Sequence, residues 1–593
     1  MLRKFSVVLL LIVWFLQTNA AQQTLTASGF VLDNQSRPID LASVSVLYGN
    51  QTTITDQNGY YELHLPLRDT LILQFNCLSY QTATRIIPVE TKNIRLNVSL
   101  NNSDQNLKEI TVLGNPSREG AFEHLDASKV RLLPDATGGS IEALLVTFAG
   151  VNSNNELSSQ YSVRGGNYDE NLVYVNGTEV YRPLLIRAGQ QEGMSFVNPE
   201  MVQEVKFSAG GFDAKYGDKM SSVLDISYKK PKSFESVVNL GLLGTNLYLG
   251  QASKSGRFTQ IHGFRYKTNE YLLGTLDTKA EYNPSFLDYQ TYLTWKPNPT
   301  TEWSFLGNFS KNRYEFVPVR SETAFGTYNQ KITMYVDFEG KERDLFQTLF
   351  GAMSLTKSLS KNLKIGLKSS IFNTAEDENY DITGEYILIQ TPIQNNQTEV
   401  DNSNLLGQGK YHEHARNNLN ATVLNISQST EFKIGKHRFE GGLSWQHERI
   451  SDNLREWQMR DSAGYSLPYS ENHIQTTTTL ISNVEMSSNR VQAYVQDQWR
   501  FRTNAGLFSL SAGIRSNYWT FNNEWLISPR ASMSFTPSYG KDYTFRLAVG
   551  TYYQAPFYKE LRDTQAVNGL TRVVLNRNIK AQKTQQLDRK SVV

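Results

Sequence analysis

Few residues in this chain have the types and spacing that chemistry requires. His412-x-His414 could give two imidazoles to a metal ion. The stretch holding that pair, Thr374 to Arg416, is rich in Asn, Gln, Asp and Glu and reads as a solvated loop. Gly165-Gly166 could cradle a phosphate, but no Lys-Ser or Lys-Thr follows and the chain runs straight into a strand, so nucleotide binding is not expected. No spaced carboxylate pair, nucleophile motif or His-Glu-x-x-His set stands out. The reading is therefore of a chain with no catalytic residues, no metal and no cofactor. A binding chemistry is more visible. Glu109, Ile110, Thr111 and Val112 put an acidic residue before β-branched ones, after a polar stretch, which suits a peptide that adds as a strand to a partner's sheet edge. The same residues would equally make one more strand of the segment before them.

The chain around these residues has 593 positions, with 59 Lys+Arg against 57 Asp+Glu and a net charge of +2. That balance removes the electrostatic argument for a nucleic-acid partner. Charged residues are 20% and aromatics 11%, with 31 Tyr and 29 Phe, which argues against disorder. The single cysteine, Cys77, excludes a disulfide framework within the chain. Arg3 and Lys4, the apolar run Phe5 to Leu16 and the small residues Ala20 and Ala21 have the order of a secretory signal peptide over residues 1–21. Beyond it no apolar run is long enough for a membrane helix, so any membrane crossing must use strands.

Residues 22–107 read as a small β-sandwich. Gly29 to Leu32 runs into the polar turn Asp33 to Pro38, Ala42 to Val46 alternates as a half-buried strand does, and Thr55 to Tyr61 carries the Asn58-Gly59 signal of a hairpin. This order, with Leu78-Ser79-Tyr80 after it, resembles the carboxypeptidase regulatory-like domain. The resemblance implies a transthyretin-like sandwich and no peptidase.

A compact α/β segment follows over residues 117–230. Ile141 to Leu145 is a short amphipathic helix. Then come Tyr161 to Gly166, Leu172 to Gly177, Met201 to Phe207, Gly210 to Asp218 and Ser222 to Ile226. The order resembles the plug domain of TonB-dependent outer-membrane receptors. Arg164, Gly165 and Gly166 stand at its "R-G" position, Asn176 and Gly177 end its "V-x-V-x-G", Glu204 holds the "E-x-V", and Tyr216 and Gly217 are the "Y-G". Ser221-Ser222 replaces the glycines that often open the closing strand. By that resemblance Glu109 to Val112, within a linker over residues 108–116, is the TonB box, contacted in the periplasm by the TonB energy-transducing complex. Glycan-importing receptors of this kind usually carry a longer "L-K-D-A-S-A" stretch before the "Y-G". Lys206 to Phe212 occupies that place here, which lowers the glycan reading.

Residues 231–593 alternate apolar and polar in segments of about ten residues, the outer-membrane barrel pattern. Leu287, Tyr289, Leu293 and Trp295 oppose Asp288, Gln290 and Thr294. Val491, Ala493, Val495, Trp499 and Phe501 oppose Gln492, Gln496, Gln498 and Arg500, with Asp497 as an exception. Phe545, Leu547 and Val549 oppose Thr544, Arg546 and Ala548. The first set of each faces lipid and the second a wet lumen. Trp295, Trp303, Trp499, Trp519, Trp525, Tyr552 and Tyr553 are the expected aromatic girdles. Short links are expected at 296–301, 358–362, 435–437 and 502–506, and long outer loops at 312–343, 374–416 and 450–488. Parity of the links also demands a tight hairpin near Gly244-Thr245-Asn246. The count of roughly 13 or 14 strands falls short of the roughly 22 of plugged transporters, so the chain is expected to lack C-terminal strands and to form an incomplete barrel.

The fold expected is mainly β: a transthyretin-like sandwich, an α/β plug and an antiparallel transmembrane barrel. The resemblance implies a receptor in the outer membrane of a Gram-negative cell. It would take up a scarce small solute, a siderophore, oligosaccharide or peptide, with energy from the inner-membrane proton gradient. Its partners would be the TonB complex and outer-membrane lipid. A secreted or surface-attached β adhesin without transport, and a surface hydrolase, are the competing readings.

Overall fold

The computed structural model describes residues 24–47, 51–66, 70–77, 80–88, 93–101, 122–125, 127, 130, 140–153, 160–181, 195–268, 280–327, 330–391, 405–462, 465–467, 475–538, 543–567 and 570–592. The expected signal peptide and Glu109 to Val112 lie outside these residues. The chain divides into two compact units, residues 1–117 and 118–593.

The first unit packs two four-stranded sheets face to face. Strand β1 (Thr24–Asp33) pairs with β4 (Tyr60–Pro66) and, in parallel, with β7 (Ile94–Arg95) and β8 (Val98–Leu100). The second sheet has the order β3 (Thr52–Ile54), β2 (Ser43–Val46), β5 (Thr70–Asn76), β6 (Ala83–Pro88). Alternate residues of both, among them Val31, Val44, Leu65, Leu73 and Phe75, close an apolar core. The expected hairpin at Thr55 to Tyr61 is not one. The turn is real, with Asp56 Oδ1 accepting from the amides of Asn58 and Tyr60 and Gly59 at φ +73°. It carries the chain from one sheet to the other, because β4 finds its partner in β1 and not in β3.

The second unit begins with a five-stranded mixed sheet of order β13-β12-β15-β14-β9. These are β9 (Glu123–Leu125), β12 (Asn171–Val175), β13 (Thr178–Glu179), β14 (Val202–Ser208) and β15 (Ser222–Tyr228), with β12 and β15 parallel. A two-stranded ladder, β10 (Val151–Asn152) and β11 (Ser162–Val163), lies beside it. Helix α1 (Ile141–Leu145) is capped by Ser140, whose Oγ accepts from the amide of Ala143 at 3.0 Å, and buries Ile141 and Leu145.

A nineteen-stranded antiparallel sheet, β16 to β34, surrounds this small domain. The strands are β16 (Glu235–Gly241), β17 (Gly244–Ala252), β18 (Phe258–Thr268), β19 (Ala280–Tyr282), β20 (Ser285–Asn298), β21 (Thr301–Pro318), β22 (Ser321–Thr327), β23 (Gln330–Ser358), β24 (Leu363–Thr391), β25 (Leu405–Ile434), β26 (His437–Ser462), β27 (Tyr465–Leu467), β28 (Thr476–Arg502), β29 (Gly506–Trp519), β30 (Glu524–Pro537), β31 (Thr544–Gln554), β32 (Arg562–Val567), β33 (Leu570–Leu575) and β34 (Gln582–Val592). The main ladder runs β16-β17-β18-β20-β21-β23-β24-β25-β26-β28-β29-β30-β31-β34, fourteen strands, with β19, β22, β27, β32 and β33 as side pairings at one end. β16 and β34 are its edges, and no ladder joins them among the described residues. The hairpin demanded by parity closes at Gly241↔Gly244.

The faces follow the alternation. Val495, Leu547 and Val549 point away from the small domain and Trp295 is half exposed, whereas Asp288, Gln290, Thr294 and Thr544 are buried on the inner face. A sheet that exposes its apolar side and buries its polar side is inside-out for water and right for lipid. Two girdle assignments change. Trp519 and Tyr552 sit on inward rungs, Trp519 in an apolar cluster with Leu419 and Met486 and Tyr552 against Phe212. The expected long loops change more. Residues 374–391 and 405–416 continue β24 and β25 as one ladder, for example Glu378↔Asn417, with a register shift only between Leu388 and Ile389, and 450–462 continues β26. With 29 and 30 residues, β24 and β25 are roughly 95–100 Å long at about 3.3 Å per residue, against an apolar band about 25 Å tall. Alternation of apolar residues marks only the lipid-facing rungs; past them both faces carry polar side chains, such as Glu376 and Asp377, and the ladder continues in polar sequence.

Candidate functional site

The site is the interface between the small mixed-sheet domain and the inner wall of the large sheet. Its geometry starts from turns. Asn176 (φ +51°) and Gly177 (φ +68°) close the β12–β13 hairpin, the paired positive φ of a type I′ turn. Asn176 Oδ1 accepts from the amide of Tyr228, tying the turn to β15. The carbonyl of Gly177 accepts from Lys368 Nζ of β24 at 2.6 Å. Arg164 and Gly165 form a second positive-φ turn after β11, and a Cβ at Gly166 would collide with the Ser221 hydroxyl, so a larger residue there would displace that side chain. Arg164 Nη2 pairs with Asp588 Oδ1 at 2.9 Å. Tyr216 donates its hydroxyl to Asp225 Oδ2 at 2.7 Å, and its carbonyl accepts from Arg530. Glu204 is the exception: its partners among the described residues, His124 and Lys206, both lie within the small domain. The sequence-derived residues are therefore not one cluster. Gly177, Tyr216 and Gly217 face the wall along one side, and Arg164 reaches it elsewhere.

Buried polar contacts hold the two layers together on two flanks. On the β18–β20 flank, Arg265 pairs with Asp288 and donates to the carbonyls of Ser195 and Val197, each at 2.8 Å. Tyr228 donates to Gln290 at 2.6 Å. On the β28–β30 flank, Asp213 accepts from Gln498 and Ser511, and Asp218 from Arg515 at 3.3 Å. Arg530 donates to the carbonyls of Asp213 and Tyr216, both at 2.9 Å, and lies over the rings of Phe212 and Tyr552. Gln496 is 2% exposed and accepts from the amide of Lys215. The expected wet lumen at that position is filled by the small domain.

Between these flanks the packing opens. A cavity of about 360 Å³ lies along β24, β25 and β26, lined among others by Thr178, Lys215, Lys368, Asn425 and Ser427. A second of about 140 Å³ lies beyond it, lined by Asp169, Lys219, Glu448, Arg490, Trp519 and Phe557. Burial pushes the Lys219 ammonium down to about 8, partly offset by Asp169 and Glu179. Burial also raises the Glu179 carboxyl, against the pull of Arg515. Segment 555–561 closes over the second cavity, with Tyr558 donating to Asp452 at 2.8 Å and Arg562 paired with the same carboxylate at 2.6 Å.

His412 and His414 lie on β25, not on a loop. Both rings bond Asp381 of β24, and His414 stacks on Trp457 at 4.9 Å. Asp381 stands ten rungs past the lipid-facing Ile371. Burial alone would raise its carboxyl, but the two imidazoles outweigh it and hold it below the usual range. Among the described residues no group of three or more His, Cys, Asp or Glu is placed to hold a metal ion. The residues that the sequence does not single out are Asp213, Asp218, Arg265, Arg515 and Arg530. Charged residues on inward rungs are a signal for the three arginines. Nothing local marks the two aspartates.

Comparison with known proteins gives three family matches: a CarboxypepD_reg-like domain over residues 27–112, the TonB-dependent receptor plug domain over 127–223, and the TonB-dependent receptor-like β-barrel over 239–588. A curated relative, the TonB-dependent receptor SusC of Bacteroides thetaiotaomicron, is 27% identical over 246 residues, 39% of this chain and 23% of the relative. The match thus spans about a quarter of that relative's length. Similar solved structures include the outer-membrane transporter YddB of Escherichia coli (12% identity, TM-score 0.48, 79% of this chain and 66% of that one). The siderophore receptor PiuA of Acinetobacter baumannii is 11% identical with a TM-score of 0.45, covering 80% of this chain and 69% of that one. The RagAB peptide importer is 9% identical with a TM-score of 0.49, covering 80% and 65%.

Proposed function

Because the chain belongs to the TonB-dependent receptor family, we propose that it serves active uptake of a small solute across the outer membrane, with residues 117–230 as the plug and 231–593 as barrel wall. The observation that carries this reading is a small mixed-sheet domain seated by buried polar contacts, among them the Asp218–Arg515 ion pair and the Arg265 bonds to the Ser195 and Val197 carbonyls, inside a sheet whose outer face is apolar. Such a seat holds the small domain firmly against the wall. It is also polar enough to exchange its contacts for water when the plug moves. The TonB complex takes hold of Glu109 to Val112, and the inner-membrane proton gradient supplies the work. The linker over 108–116 joins the accessory sandwich, residues 22–107, to the plug.

The test has two steps. A strain lacking the gene is screened for growth on siderophores, oligosaccharides and peptides, which identifies the solute. The receptor lacking Glu109 to Val112 then binds that solute with unchanged affinity and does not import it. Import that persists in the deletion contradicts the assignment of the box. An outer-membrane fraction whose band shifts on boiling separates a barrel from a secreted adhesin.

A further inference from the structure

The plug is bonded to the wall on two flanks and stands off it on a third, and that asymmetry has a direction. The larger cavity lies along β24, β25 and β26 and the smaller one continues past it. Both are lined by the same four residues, Glu179, Tyr181, Gln446 and Gln492. Two of these belong to the plug, at and just after β13, and two to the wall, on β26 and β28. The ring of Tyr181 closes edge-on against Phe372 of β24 at 5.9 Å. Tyr174 and Gly177 of the same β12–β13 hairpin line the larger cavity, and Lys368 holds the Gly177 carbonyl across it. On the β18–β20 and β28–β30 flanks the plug meets the wall through buried polar contacts. Arg265 and Asp288 on one, and Asp213, Asp218 and Arg515 on the other, are buried and bonded.

We propose that the solute passes between plug and wall along β24–β26, and that Glu179 and Tyr181, facing Gln446 and Gln492, form the partition whose withdrawal joins the two cavities into one route. The proposal rests on the uptake reading. Moving the β12–β13 hairpin off the wall breaks the Lys368 bonds to the Asn176 and Gly177 carbonyls and one aromatic contact, whereas opening the β28–β30 flank unpairs the buried Asp218 and Arg515 and opening the β18–β20 flank strips buried Arg265 of two carbonyl acceptors. The partition also sets what passes. A carboxylate, a phenol ring and two amides select by size and by hydrogen bonding, and Glu179 favours a solute group that donates.

The test uses the full chain in cells held in rich medium, in a Cys77→Ser background that removes the only cysteine. Single cysteines replace Ser370 and Ser427 on the cavity wall, and Ser304 and Ser532 on inward rungs of the bonded flanks. The probe is a charged maleimide, and labelling rates are compared with and without a proton-gradient uncoupler. Ser370→Cys and Ser427→Cys should label several-fold faster in energised cells, and Ser304→Cys and Ser532→Cys should not change. An energy-dependent gain at Ser304 or Ser532 and none at Ser427 overturns the route while leaving uptake standing. No gain at any position overturns the route, and if the receptor lacking Glu109 to Val112 also imports normally, the energised-uptake reading falls with it. As a second arm, Tyr181→Ala, checked for folding by its heat-modifiable band, should raise Ser427→Cys labelling in uncoupled cells. An unchanged rate there removes Tyr181 from the partition.

Discussion

Asp218 illustrates how the plug is held at single residues. Its carboxylate meets Arg515 at 3.3 Å and accepts from Gln492 and Asn517, all on inward rungs. Asp218→Ala would leave the Arg515 guanidinium buried without its counter-ion, and we expect the plug transition in scanning calorimetry to lose about 3–5 kcal/mol while the barrel transition stays. Lys219, the next residue, gives a pH signature. Its Nζ donates to the carbonyl of Asp169 at 2.6 Å and lies 4.1 Å from the Phe557 ring centre. Burial lowers its pKa to about 8, so from about pH 8 to about pH 10 the folded state has shed a proton that the unfolded state keeps. Stability of the plug should therefore rise with pH across that window, by at most about 1.4 kcal/mol per unit, and Lys219→Met should flatten the rise. Asp288 and Arg546 could be placed on the inner face from alternation alone. Asp213 and Asp218 could not, since a contact between two domains leaves no period in either.

Among the elements, the lipid-facing strands are the most legible and the long hairpins the least. Val495 is 53% exposed, on the face that its spacing from Val491 and Trp499 assigns to lipid. Val495→Arg should lower the yield of folded receptor in detergent, at a cost of about 2–4 kcal/mol near the midplane. Asn425→Arg, on an inward rung beside the larger cavity, should fold with nearly normal yield; equal losses from the two would contradict the assigned faces. The stretch from Thr374 to Arg416 looked like a loop because it is polar, yet Asn379↔Arg416 and Asp381↔His414 are ordinary ladder pairs. A strand with polar residues on both faces has no hydrophobic rhythm to betray it. The Asn58-Gly59 turn misled in the opposite way. Its residues specify a reversal, and only the choice of partner strand decides whether that makes a hairpin or a crossing between sheets.

At the scale of the molecule, the first unit closes its own core. Leu73, Phe75, Leu65 and Val44 are buried among residues of that unit alone. Residues 22–107 expressed by themselves should unfold cooperatively in denaturant, followed by circular dichroism. Leu73→Ala should remove about 2–5 kcal/mol of that stability; a fragment without a transition would show that the sandwich needs the rest of the chain. The three-part order could be read from motifs spread along the chain, because each part has its own period or turn chemistry. How the plug fits its wall could not be.

The first strand of the plug sheet in chain order is held by a short seam at the sheet's edge. Strand β9 joins the sheet through only three rungs, Val205↔Leu125 to Phe207↔Glu123, whereas β14 and β15 share twice as many and β12 lies deeper still. A tug on residues 108–116 reaches β9 before anything else. The mechanical yield point of the receptor is then a short edge strand and not the core sheet. Stretched by a tethered bead, it should lengthen first by the few nanometres of chain ahead of α1, and the hairpin carrying Gly177 should still be in place when that slack has been drawn out.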